Sequence, residues 1–176
     1  ANALAAAGAA LAAGADLDAI ALGLAALAPV DGRGNWRNGI AGAQIIDDAY
    51  NANPASVKAA IDVLAGLAGR RLLVLGDMGE LGEWAEQSHR DVGVHAREQG
   101  LDGVYATGRL SALAVEAFGA NGRLFDSREA LIVAIKQDLD ANTRVLVKGS
   151  RSAGMDVVVA GLLAPADTHE NDNGAS

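Results

Sequence analysis

The stretch Ala43-Gln44-Ile45-Ile46-Asp47-Asp48-Ala49-Tyr50-Asn51-Ala52-Asn53-Pro54-Ala55-Ser56 decides how the chain folds. Ala43 to Ile46 is short, apolar and β-branched enough for a buried strand, while Asn53 followed by Pro54 sets an N-cap beside a favoured first helical residue. A polar loop joins them. Strand, loop and capped helix, in that order, form the junction at which open α/β sheets gather ligands.

The same junction recurs twice. Leu72-Leu73-Val74-Leu75 runs into Gly76-Asp77-Met78-Gly79-Glu80-Leu81-Gly82, and Arg144-Val145-Leu146-Val147 runs into Lys148-Gly149-Ser150-Arg151-Ser152. If intervening helices make these strands parallel, all three loops leave the sheet at one edge and share a crevice.

From Ala43 onward the pattern alternates, with strands expected over 43–47, 71–75, 102–106, 123–125 and 143–147, and helices over 54–68, 84–99, 109–119, 128–140 and 153–163. That alternation predicts an α/β fold, a doubly wound and mostly parallel sheet with helices on both faces. Val57, Ala60, Ile61, Leu64 and Leu67 recur at helical spacing and supply one apolar stripe for the sheet. Ahead of this unit, Asn2 is expected to cap a helix ending near Gly14, and Asp16 a second one running to about Leu27. The two make a helical hairpin. Pro29 to Gly42, with glycines at 32, 34, 39 and 42, reads as a hinge with a short strand near Arg33 to Arg37. The expected division is 1–42, 43–165 and a small, acidic, disordered tail at 166–176.

Composition narrows the function. A chain of 176 residues can bury a real core. With 22 acidic against 14 basic residues the net charge is −8, which repels nucleic acid and anionic membranes at long range. There is no cysteine, so disulfides and thiolate metal sites are excluded. The Ala-rich start lacks a basic leading region and is too short to span a bilayer, so neither a signal peptide nor membrane insertion is expected. A cytoplasmic setting fits this composition.

The strings DDAYNANPAS, LGDMGELGE and VLVKGSRS, in that order and with these separations, resemble the C-terminal domain of the Mur ligases, most nearly the branch that adds D-alanyl-D-alanine. The opening helices and Pro29-Val30-Asp31-Gly32-Arg33 are similar to the end of that family's central ATPase domain and its hinge. The resemblance covers nearly everything except the tail. It implies an ATP-dependent amide ligase of peptidoglycan precursor synthesis, whose other substrate is a UDP-N-acetylmuramoyl-tripeptide. In such enzymes the tripeptide carboxylate takes the γ-phosphoryl group to give an acyl phosphate, the dipeptide amine displaces phosphate, and magnesium assists. Matched one at a time, Asn2 corresponds to the asparagine approaching adenine, Arg33 to the hinge arginine directed at the ATP phosphates, and Asp48 to the aspartate meeting the ribose. Ala49 departs from the serine common there. No Walker A sequence exists, since Lys58, Lys136 and Lys148 each follow Val or Ile. The chain is therefore expected to be a fragment whose partner is the rest of the same polypeptide, and not to hydrolyse ATP alone.

Read residue by residue, the 76–82 turn has a phosphate-like glycine spacing but carries Asp77 and Glu80 and is followed by Glu83, carboxylates that favour an ammonium group or a cation. The bland reading is an acidic turn placed for the helix dipole. Lys148 and Arg151, with Ser150 and Ser152, suit a carboxylate or phosphate, or pair with surface acids such as Asp156. The expectation is that the acidic and basic loops clamp the two ends of a zwitterionic dipeptide. Asp47 and Asp48 must face opposite sides of a strand, with Asp48 turned to ligand and Asp47 to the loop. Asn51 and Asn53 are candidate substrate contacts and equally good turn and cap residues. His89 and His95 lie about 240° apart around one helix and cannot share a metal. Two alternatives stand beside the ligase: a metabolite-binding α/β module without catalysis, and another Mur or folylpolyglutamate-type ligase.

Overall fold

The computed structural model describes residues 2–26 and 31–165; residues 27–30, the expected tail at 166–176 and the side chains of Asn2 and Ala3 lie outside the described residues. The chain divides into two compact units, 1–30 and 31–176.

The first unit is the expected hairpin, α1 (Asn2–Ala12) and α2 (Leu17–Ala25). Asp16 caps α2 by accepting the Ala19 N–H at 2.7 Å. No residue of α2 is buried, and Leu4, Leu11, Leu17 and Leu22 stand exposed.

The second unit runs β1 (Asn35–Asn38), β2 (Gln44–Asp48), α3 (Pro54–Ala65), β3 (Arg70–Gly76), α4 (Ala85–Glu98), β4 (Gly103–Thr107), α5 (Ser111–Phe118), β5 (Gly122–Phe125), α6 (Arg128–Lys136), β6 (Thr143–Lys148) and α7 (Asp156–Leu162). Its six-stranded sheet has the order β1-β2-β6-β3-β4-β5, with only β1 antiparallel to its neighbour. Interior strands are apolar on both faces because both faces are covered. Ile46, Leu73, Leu75 and Leu146 pack with residues of α3, α4 and α5, whereas Ile45, Leu72, Val74 and Val145 pack with α6 and α7. The sheet is doubly wound.

Four expectations need adjusting. The compact sheet unit begins at Asp31 rather than at residue 43, because β1 pairs along β2 from Asn35↔Asp47 to Asn38↔Gln44 and draws the expected hinge into the sheet. The helix expected over 128–140 ends at Lys136, since Asp138 and Asp140 turn away to bind Tyr105 and Thr143. The helix expected over 153–163 is a 3-10 turn, Arg151–Ala153, followed by α7; Gly154 separates them at φ 61, a left-handed conformation that breaks a helix. The helix expected from 109 starts at Ser111.

Candidate functional site

The order of the strands places a switch point between β6 and β3, since the helix after β6 lies on one face and the helix after β3 on the other. Ligands of open α/β sheets bind outside the carboxyl ends of strands at such points. Here the two strand ends approach unusually closely. A Cβ at Gly149 would lie 3.2 Å from the Gly76 Cα and 2.6 Å from the Met155 Cγ, so both positions need glycine. The Ser150 N–H donates to the Asp77 carbonyl at 2.9 Å and locks the two loops together.

Above this junction lies a crevice of about 660 Å³ formed by the loops after β2, β3 and β6. It gathers Asn51, Asn53, Glu80, Ser150 and Arg151, so the expected meeting of three loops occurs. Glu80 and Arg151 are exposed and bring opposite charge from two different loops. Asn53 also caps α3, accepting the Ser56 N–H at 2.9 Å while its own N–H donates to Ser56 Oγ at 3.1 Å. The Asn51 side chain accepts the Ala52 N–H.

Two residues expected in the clamp stand elsewhere. Lys148 is only 3% exposed, and its ammonium pairs with the Asp48 carboxylate and donates to the Asn51 carbonyl at 3.0 Å. The cause is register: Lys148 and Asp48 are direct partners across β6 and β2. Asp77 turns its carboxylate to the start of α5, accepting the Ser111 N–H and Oγ–H at 2.7 Å each and the Leu110 N–H at 3.3 Å. A carboxylate at a helix N-terminus satisfies donors the helix leaves free. Neither side chain lines the crevice.

Of the nucleotide-side candidates, Arg33 stands against Tyr50. The Arg33 guanidinium lies 4.5 Å from the Tyr50 ring centroid and that of Arg151 lies 5.3 Å from it. The Tyr50 N–H donates to the Gly32 carbonyl at 3.0 Å, which ties the segment before β1 to the loop after β2. Asp47 is buried and accepts the Ala49 N–H at 3.3 Å, the loop-stabilising part expected of it. Asn2 has its side chain outside the described residues.

Sequence reasoning did not find the part played by His89. It is wholly buried on the α4 face shared with Val92, Gly93 and Ala96. A histidine at an apolar position of a helical stripe was the available signal. His95 instead pairs with Asp62 at 2.7 Å. Among the described residues no cluster of three or more His, Cys, Asp or Glu side chains could hold a metal, and no helix is long and apolar enough to cross a membrane.

An open, doubly wound domain with oppositely charged loops meeting at its switch point has the architecture in which α/β proteins bind their ligands. Residues 32–151 match the family model described as Mur ligase, glutamate ligase domain. The chain belongs to the Mur ligase family. It is 46% identical over 165 residues to the UDP-N-acetylmuramoyl-tripeptide–D-alanyl-D-alanine ligase of Escherichia coli (strain K12), covering 92% of this chain and 36% of that protein. The ligase of the same name from Bacillus subtilis (strain 168) is 34% identical over 134 residues, covering 69% of this chain and 28% of that protein. A crystal structure of MurF from Acinetobacter baumannii superposes with a TM-score of 0.81 at 34% identity, covering 90% of this chain and 36% of that one. The chain thus spans about a third of the length of these relatives.

Proposed function

We propose that this chain is the amine-accepting, nucleotide-closing part of a cytoplasmic ATP-dependent ligase that joins D-alanyl-D-alanine to a UDP-N-acetylmuramoyl-tripeptide. The observation that carries the reading is the placement of Glu80 and Arg151 on separate loops around one crevice at the switch point. A dipeptide is zwitterionic: Glu80 suits its ammonium end, and Arg151 with the Ser150 hydroxyl suits its carboxylate. The relatives named UDP-N-acetylmuramoyl-tripeptide–D-alanyl-D-alanine ligase, at 46% and 34% identity, support that dipeptide over another amine.

Asp77 and Lys148 act one step back in this reading. Asp77 fixes its loop against α5, and Lys148 holds Asp48 in place at the rim where the nucleotide ribose would arrive. Arg33, exposed and stacked on Tyr50, is available to the phosphates. The residues that would cradle the triphosphate are absent from this sequence, which has no Walker A motif. Magnesium, for which the described residues offer no cluster, goes with the nucleotide on the remainder of the polypeptide. The exposed leucines of the α1–α2 hairpin support assigning that hairpin, the first part of the expected 1–42 segment, to the edge of a preceding ATP-binding domain.

The reaction assigned to the whole enzyme transfers the γ-phosphoryl group to the tripeptide carboxylate, and the dipeptide amine then attacks the acyl carbon and expels phosphate. Within it, this chain binds and orients the amine. The test is phosphate release by the full-length polypeptide with ATP and the nucleotide-linked tripeptide. Release that requires D-alanyl-D-alanine is expected, and release indifferent to the dipeptide overturns the reading.

A further inference from the structure

The loop after β3 lines the crevice with Gly79, Glu80 and Leu81, and the one charged residue among them, Glu80, has a φ of 60 that is rare for a residue with a side chain. Such a conformation persists only where the surroundings impose it. Two residues earlier, the Met78 N–H donates to His89 Nε2 at 2.9 Å, and His89 Nδ1 contacts the Ala85 carbonyl at 2.6 Å. The partners dictate the tautomer. A carbonyl can only accept and an amide N–H can only donate, so Nδ1 carries the hydrogen and Nε2 offers its lone pair. The wholly buried ring spans from the first turn of α4 to the loop, with both nitrogens occupied.

The loop is held on its other side as well. The Asp77 carbonyl accepts the Ser150 N–H, the Asp77 carboxylate caps α5, and the Met78 side chain is 2% exposed within the core. Gly79 then passes close to Ser150, where a Cβ would stand 3.4 Å from the serine Cβ. With Asp77 and Met78 fixed, the chain has little choice of direction at Glu80.

We propose that His89 is a positioning residue for the amine side of the crevice, fixing the Met78 amide and through it the Glu80 carboxylate. The inference rests on the dipeptide reading for its kinetic consequence and on geometry alone for the anchor. In the full-length polypeptide, His89→Leu fills much of the space but offers no hydrogen bond, whereas His89→Gln retains one donor and one acceptor. His89→Leu should raise KM for D-alanyl-D-alanine about tenfold, the loss expected for one buried hydrogen bond and its loop, with KM for ATP unchanged. His89→Gln should recover part of that loss. Equal rises in both KM values, or no change in either, overturn the proposal.

Amide hydrogen exchange at Met78 separates this idea from the function above it. Exchange should be slow in the parent polypeptide and much faster in His89→Leu, whether or not the enzyme uses the dipeptide. Slow exchange in that variant overturns the anchor; absence of dipeptide-dependent turnover in the parent overturns only the ligase reading. If His89→Leu does not fold, His89→Asn, too short to join Ala85 to Met78, carries the same two measurements.

Discussion

Lys148 ends β6 beside Asp48 at the end of β2, and their pairing withdraws an ammonium and a carboxylate from water together. The withdrawal is unequal, because the lysine side chain is 3% exposed and the aspartate side chain 23%. Removing the aspartate strands a buried charge, while removing the lysine leaves a carboxylate that solvent can reach. Asp48→Asn should therefore cost about 3 kcal/mol, the lower end for breaking a buried pair, and Lys148→Met distinctly less. The double variant should lie near Lys148→Met. Urea denaturation reads all three; equal costs for the two single variants would show that the pair is wetter than its burial implies.

At the scale of elements, the three strand–loop–helix junctions carry the site, and they were legible because their physics is local. Leu72 to Leu75 is a continuous apolar run because the strand is buried on both faces, and Asn53-Pro54 announces α3 because a cap and a preset φ act within one turn. What escaped the sequence is contact between distant residues. Nothing near Asp77 reveals that its carboxylate will cap a helix starting 34 residues later, and nothing near Lys148 reveals a partner 100 residues earlier. Both therefore read as ligand contacts or as locally placed surface charges, and neither partner was named. The same holds for Gly93, in the middle of α4, where a Cβ would lie 2.1 Å from the Ala114 carbonyl oxygen of α5. Glycine there permits two helices to touch backbone to backbone. Gly93→Ala, which improves helix propensity, should nonetheless destabilise by about 1–3 kcal/mol, because α5 cannot retreat without losing its Asp77 cap. Thermal unfolding measures the sign, and a stabilised Gly93→Ala variant would mean that α5 is free to shift.

Over the whole molecule, stability against pH should be bounded by different groups at its two ends. Burial first, and then its hydrogen bond to Asp138, raises the Tyr105 pKa above the ordinary 10.0, with Arg123 opposing. The folded state thus holds that proton more tightly than the unfolded chain. Its contribution is present in full below pH 10.0 and is lost as pH rises through the higher folded value. At the acid end the hydroxyl of Thr143 lowers the Asp140 pKa below the ordinary 3.8, so the contribution of Asp140 is present above that value and fades as pH falls below it. Glu129 is lowered in the same direction by its own backbone and the Ser127 hydroxyl. Tyr105→Phe, which deletes a 2.6 Å hydrogen bond to a carboxylate, should be less stable than the parent at pH 7 by about 1.5 kcal/mol and converge with it above pH 10. Asp140→Asn should do the reverse, lying below the parent at neutral pH and converging with it in acid. Melting temperatures across the pH range decide the matter. Curves for either variant that run parallel to the parent through its own window would mean that the group titrates alike in folded and unfolded chains, and the acid and alkaline limbs would then belong to general repulsion in a chain of net charge −8.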